Sequence, residues 1–209
     1  MKVFTRIVGG LETNCYLLVD EEGGEAALID PGAEAEALCR LIDGSGAKLR
    51  YILLTHGHYD HTTAVPEVRR AYPDAAVYIH ADDAQGAGNH LFPLAGEISD
   101  LKNYGEGDTL PLGAQTIEVL STPGHSRGSV TLRCGNLLFT GDTLFAGSCG
   151  RVDLPGGSWD EMLSSLARLA ALPGEYSVYP GHMNASTLEY ERLHNLYLRS
   201  AMKGGDVFS

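Results

Sequence analysis

The densest chemistry in this chain lies in residues 53–61, "LLTHGHYDH". His56, His58, Asp60 and His61 fall within six residues, directly after an apolar run. Imidazoles and carboxylates at such density are ligands for divalent metals. Four ionisable groups at a buried strand end with no ion to hold would cost on the order of several kcal/mol in desolvation. His56 and His58 are two apart, so on an extended segment both rings point the same way. Gly57 lets the chain bend far enough for both to reach one ion. Asp60 and His61 stand past the bend, where they face a second ion.

Three more strand-like runs end in the same grammar. "IEVLSTPG" precedes His125, "NLLFTG" precedes Asp142, and "YSVYPG" precedes His182. Sites gather past the carboxyl ends of strands, where several chains converge on one crevice. His125 then completes the first site and His182 the second, while Asp142, with two oxygens, bridges them. The expected cofactors are two divalent ions, zinc first and iron or manganese as alternatives, each with an open position for water. His80, His90 and His194 are read as satisfied polar groups rather than ligands.

Strands must carry these endings. "KVFTRIV", "NCYLLVD" and "EAALID" are short β-rich runs between Gly and acidic turns. "EAEALCRLIDGSG" places Leu38, Leu41 and Ile42 at helical spacing. "LRYILLT" is continuous enough to be buried on both faces. A helix, "TAVPEVRRAY", and a strand, "AAVYIH", follow. Residues 82–108 are irregular and rich in Gly and Asp, which favours a flap over a site. The second part repeats the pattern with strands "QTIEVLST", "SVTLRC", "NLLFTG" and "YSVYPG". Ser158 and Glu161 open one helix as a capping box, and Ser186 and Glu189 open a last one running through Leu193, Leu196 and Tyr197. The economical architecture is two sheets packed face to face with helices outside, one domain over residues 1–209 with two pseudo-repeated halves.

The bulk numbers narrow the partners. Fifteen Lys and Arg stand against 27 Asp and Glu, a net charge of −12, and no basic cluster appears. That excludes a general nucleic-acid binder. No run approaches the ~18 apolar residues of a membrane span, and the opening residues lack a signal-peptide core. Cys15, Cys39, Cys134 and Cys149 are scattered without a CxxC, as expected of reduced thiols in a cytoplasmic protein.

"THGHYDH" resembles the H-x-H-x-D-H signature of the metallo-β-lactamase fold hydrolases, and "TPGHSRGSV", "TGDTLFAGSCGR" and "YPGH" resemble its later motifs in order. "LIDPG" and "TNCYLL" fit as well. Within that superfamily "GDTLFAGSCGR" is similar to the glyoxalase II-like group, the hydroxyacylglutathione hydrolases and their short bacterial relatives. The resemblance implies an α/β (α+β) fold, a four-layer αββα sandwich of two mixed β-sheets. It implies His56, His58 and His125 on one metal, Asp60, His61 and His182 on the other, and Asp142 between them. Asp30 would tighten the ligand loop through hydrogen bonds, although it also reads as a turn former before Pro31-Gly32. Arg151, nine residues after Asp142, stands where relatives place a substrate-contacting cation. Arg127 follows His125 where relatives usually have Thr-Pro, adding a second cation. The extra helical region that helps larger members hold glutathione is not matched here.

The implied reaction is hydrolysis of a thioester, an S-acyl derivative of an anionic low-molecular-weight thiol, with Asp60 ligating and passing a proton. A thiolate leaves with little help because thiol pKa values are only ~8.5, whereas a β-lactam amine needs protonation. The rival class is the persulfide dioxygenases, which resemble the chain equally well around "SCGRVD" and use one iron on residues matching His56, His125 and Asp142. The intact "PGH" before Met183 favours two metals. No oligomeric state is legible.

Overall fold

The computed structural model describes residues 1–86 and 90–204. The first sheet holds β1 (Lys2–Val8), β2 (Thr13–Asp20), β3 (Glu25–Ile29), β4 (Lys48–Leu53), β5 (Ala76–Ile79) and β6 (Lys102–Asn103) in that spatial order. Its first three strands are antiparallel neighbours, and β3 through β6 run parallel. Four helices accompany it, α1 (Ala35–Ser45), α2 (Tyr59–Thr62), α3 (Val65–Ala71) and α4 (Ala81–Ala84), followed by α5 (Leu94–Glu97). The second sheet begins with β7 (Thr109–Leu112), β8 (Gln115–Ser121), β9 (Val130–Cys134) and β10 (Leu137–Gly141). A ribbon of β11 (Leu144–Phe145) and β12 (Ser148–Cys149) and the helix α6 (Trp159–Ala170) intervene before β13 (Ser177–Pro180) and β14 (Ser186–Thr187). The second sheet's order is β14-β13-β10-β9-β8-β7, and β13 joins β10 in parallel. The helices α7 (Leu188–His194) and α8 (Leu196–Met202) follow.

Alternation along the strands produces the layers. Successive strand residues point to opposite faces. Leu18, Ile29 and Leu53 meet Val119, Leu132 and Phe139 of the other sheet in one buried cluster. Their neighbours Leu17, Leu28 and Ile52 turn the other way, against Leu38 and Ile42 of α1 and Val65 and Val68 of α3. On the far side, Leu138 and Val178 pack on Met162, Leu166 and Leu169 of α6 and Leu198 of α8. Two sheets face to face with helices outside is the expected αββα arrangement.

Two local expectations are corrected. Residues 82–108 do not form a structureless flap. Among the described residues they contain α5, β6 and most of α4, and they bury Asp83, Leu91, Leu94, Ile98 and Tyr104. Their backbone is stitched under the ligand loop, with Phe92 N–H donating to Gly57 O at 2.9 Å and Tyr59 N–H to His90 O at 3.1 Å. Residues 87–89 lie outside the described part. The last helix is also two helices, because Asn195 leaves helical geometry and its side chain accepts from the N–H groups of Tyr197 and Leu198, capping α8. The cap of α7 is Thr187, which accepts from Tyr190 N–H, while Ser186 turns to donate to Glu191 at 2.5 Å. The Ser158 cap stands as expected, accepting from Glu161 N–H.

Candidate metal centre

All four ligand-bearing turns open at one edge of the sandwich. His56 follows β4, His125 follows β8, Asp142 follows β10 and His182 follows β13. His56, His58 and His125 bring one nitrogen each to within 4.8 Å of one another, and so do one donor atom each of Asp60, His61 and His182. Asp142 stands between the groups, with Oδ1 3.4 Å from His61 Nε2 and Oδ2 3.4 Å from His125 Nε2 and 3.5 Å from His182 Nε2. The approach requires glycine at 181, where a Cβ would sit 2.2 Å from Asp142 Oδ1 and 2.7 Å from His61 Cε1.

The outer ring nitrogens are pinned by oxygen acceptors. His61 Nδ1 faces Asp30 Oδ2 at 3.0 Å, His125 Nδ1 faces Arg151 O at 2.7 Å, and His182 Nδ1 faces Leu11 O at 3.1 Å. An N–H donated outward leaves the inner nitrogen as a lone pair aimed at the centre, the tautomer a metal ligand needs. His56 Nδ1 contacts the Thr55 hydroxyl at 3.1 Å, which itself donates to Asp30. At the centre His58 Nδ1 lies 2.8 Å from His125 Nε2, and His56 Nε2 and Asp142 Oδ1 are buried with no hydrogen-bond partner. Buried polar atoms are rarely left this way, and a divalent cation is the partner whose chemistry fits these two acceptors and the close pair of imidazole nitrogens beside them.

Electrostatics divides the centre. Burial, reinforced by the surrounding imidazoles, holds His56 well below the ordinary histidine range and lowers His58 to about 4. Both are neutral near pH 7, which ligation requires. Burial pulls His61 down as well, but the carboxylates of Asp142 and Asp30 outweigh it and raise His61 to about 9. Burial opposes ionisation of Asp60, yet its bond with His182 and the proximity of His61 hold it well below the usual carboxylate range. The second group therefore sits in a field that favours positive charge.

Asp30 lies behind the ligands. It adopts φ 53°, a left-handed conformation unusual for a residue with a Cβ, and its carboxylate accepts from Thr55 N–H at 2.7 Å and Thr55 Oγ1–H at 2.6 Å. It is thus both the turn former and the ligand-loop anchor. Three further residues went unnoticed in the sequence. Asp83, 1% exposed, accepts from Gly57 N–H at 2.9 Å, Ser126 Oγ–H at 2.6 Å and Gly128 N–H at 2.9 Å, tying the His56–His58 bend to the His125 turn. Thr13 donates to Asp60 Oδ2 at 2.9 Å. Asn14 binds the carbonyls of Pro180 and Met183, clasping the His182 turn. The only sequence signal for Thr13 and Asn14 was the "TNCYLL" run, and Asp83 had none.

The centre floors a cavity of about 740 Å³ lined by Leu11, Ala33, Tyr59, Arg151 and Leu154 among others. Arg151 is engaged by Asp153 in a two-pronged pair at 2.6 and 2.7 Å. Arg127 lines a separate cavity of about 150 Å³ with Asp82, Leu91 and Pro155. The expectation that it adds a cation to the main cavity is not met, because its turn is drawn toward Asp83. His80 caps α4 through Asp82 N–H, in keeping with a polar role, and His90 is at the cavity rim.

The family model of the metallo-beta-lactamase superfamily matches residues 8–182. This chain belongs to the metallo-β-lactamase superfamily. Among curated relatives, the hydroxyacylglutathione hydrolase of Gloeobacter violaceus is 39% identical over 170 residues, 80% of this chain and 62% of that protein. Solved superfamily structures similar to it include the BLEG-1 B3 metallo-beta-lactamase (TM-score 0.83, 32% identity, 94% of this chain and 99% of that one). ETHE1 from Myxococcus xanthus gives a TM-score of 0.80 at 29% identity, covering 93% and 83%. TTHA1623 in a di-iron-bound form gives 0.78 at 38% identity, covering 92% and 98%. The superfamily and the His/Asp clusters support a metal-dependent hydrolase. Among the described residues no helix is long and apolar enough to cross a membrane.

Proposed function

We propose that the chain is a binuclear metal-dependent hydrolase acting on thioesters of a low-molecular-weight thiol. The observation that carries the reading is the pair of convergent donor groups on either side of Asp142, with His56 Nε2 and Asp142 Oδ1 buried and unpartnered. His56, His58 and His125 would hold one ion, Asp60, His61 and His182 the other, and Asp142 both. Two such ions, zinc in this reading, would lower the pKa of a water toward 7 and offer positive charge to a carbonyl oxygen.

The chain's own groups do the rest. Asp60 stays ionised, so its Oδ2, beside His182 Nε2 at 3.2 Å, can accept a hydrogen bond from a water and orient it. Thr13 fixes that oxygen. Asp30 and the Arg151 and Leu11 carbonyls keep the imidazoles in one tautomer through the cycle. Leu11, Tyr59 and Leu154 receive the carbon of the substrate and exclude water beside it. The leaving thiolate needs no general acid. The likeness to a hydroxyacylglutathione hydrolase supports the thioester class.

Elemental analysis of protein purified without chelator tests this reading. Two ions per chain, one lost in His182→Ala, and turnover of a thioester panel are the expected results. One iron per chain, unchanged by His182→Ala, points instead to a mononuclear dioxygenase and to persulfide-dependent oxygen uptake. Turnover of β-lactams alone would reassign the substrate.

A further inference from the structure

Among the described residues Arg151 is the one Lys or Arg lining the main cavity. Its charge is already matched. Two of its three guanidinium nitrogens, Nε and Nη2, donate to Asp153, two residues along the same turn, which leaves Nη1 as the open donor. The turn is held in place, because the Arg151 carbonyl accepts from His125 Nδ1 at 2.7 Å. A carboxylate on the substrate would have to displace Asp153 or lie beside it. Arg6, which does not line the cavity, is also paired. It pairs with Glu34 at 3.1 Å, and Glu34 also accepts from Gly9 N–H at the cavity wall. Arg127 belongs to the other cavity.

Among the described residues the lining also offers apolar surface, beside Thr63 and His90. Leu11 is 69% exposed and Tyr59 45%, both lining the cavity, and Leu154 stands near Arg151. Leu11 is held there by its own carbonyl, which His182 Nδ1 contacts. Large side chains left open around a site mark the surface that contacts ligand. The net charge of −12 adds a general field against anions.

Resting on the thioester reading, we propose that the thiol half of the substrate carries no net negative charge, and that Asp153 sets this preference by occupying Arg151. The anionic conjugate expected from Arg151 alone gives way to a neutral, partly apolar thiol. The paired arginine meets a second anion with its charge already balanced and only Nη1 open. The pair is exposed, so its grip is modest. The effect is therefore one of selectivity between substrates rather than absolute exclusion.

The test uses two thioesters with the same acyl group, one of N-acetylcysteamine, which is neutral, and one of 3-mercaptopropionate, which is a monoanion. The metal-loaded protein is expected to favour the neutral one by about tenfold in kcat/KM at low salt, with the gap narrowing as salt screens the field. Asp153→Asn should raise the anion-to-neutral ratio by about fivefold, the size of one exposed charge pair. Adding Arg151→Gln to Asp153→Asn should remove that gain. Equal or greater turnover of the anion by the unmodified protein overturns the proposal, and a ratio unmoved by Asp153→Asn overturns the role of Asp153. Hydrolysis of neither thioester sinks the thioester reading instead. Calorimetric binding of the matching neutral and carboxylate-bearing thioethers then decides the charge preference by itself: tighter binding of the neutral one supports it, and equal or weaker binding overturns it.

Discussion

His56, His58 and His125 are 1%, 4% and 3% exposed, and the first two are kept neutral by burial. Across Asp142, Asp60 and His182 leave 23% and 21% of their side chains open to solvent, and His61 is biased toward positive charge by the acids around it. The sealed group gathers neutral lone pairs by geometry, held from behind by Asp83 and Thr55. The open group gathers negative charge, trimmed by Thr13 and Asn14. Geometry is lost all at once when a buried support goes. Charge is lost by degrees as groups titrate or are screened. The sealed group should therefore hold its ion more tenaciously, and the open group should exchange first.

Removing the shared member should abolish the distinction. Asp142→Ala is expected to lower thioester turnover by about a thousandfold or more, with metal lost from both groups, since an ion clamp contributes several kcal/mol to a hydrolytic transition state. Retention of two ions with near-normal turnover would contradict the bridging role. The next largest effect belongs to the support of the sealed side. Asp83→Ala strands the N–H groups of Gly57 and Gly128, so a loss of about 3 kcal/mol in denaturant unfolding is expected, with metal affinity down about 10–100-fold. Competitive chelator titration checks this, and a loss falling on the open group instead would reverse the assignment.

The open side should respond less. Thr13→Val removes one bond to Asp60 and is expected to weaken the more labile ion by about fivefold, the value of one hydrogen bond near 1 kcal/mol. An equal effect on both ions would argue against separate groups. The smallest test is the pH dependence of the metal-free protein. His56 and His58 bind fewer protons folded than unfolded, so their contribution makes stability fall as pH drops from about 6.5 toward 4. His61 has the opposite sign. Its contribution is full below about 6.5 and disappears as pH rises through about 9. Melting temperature should peak near neutrality and fall on both sides, by about 2–4 °C for each kcal/mol lost. His58→Gln should flatten only the acid limb.

The two clusters were not equally readable. All seven donors announced themselves, because they fall in four turns that each follow an apolar run that has to be a strand, and strand ends in stacked sheets open at one edge. The supports were hidden for different reasons. Asp83 sits in a Gly- and Asp-rich stretch that looks unstructured, and the contact that orders it is to the backbone of residues far along the chain. Backbone donors leave no residue-type signal. Thr13 is an ordinary strand residue until β2 is laid beside the ligand loop. The break at Asn195 was hidden because a continuous apolar stripe suits one helix or two, and only the cap geometry separates them.

What the sequence determined by itself was the chemistry and the layers. Residue types fix ligand identity, and period-2 runs fix which faces are buried. What only the tertiary structure decided was charge and partnership. Whether Arg151 is free to bind an anion depends on the conformation of a turn that places Asp153 within 2.6 Å, and whether Arg127 faces the site depends on the pull of Asp83 on its loop. Long side chains can reach in many directions. Composition sets how many charges a chain carries, but the path of the backbone sets which of them remain unmatched where a substrate arrives.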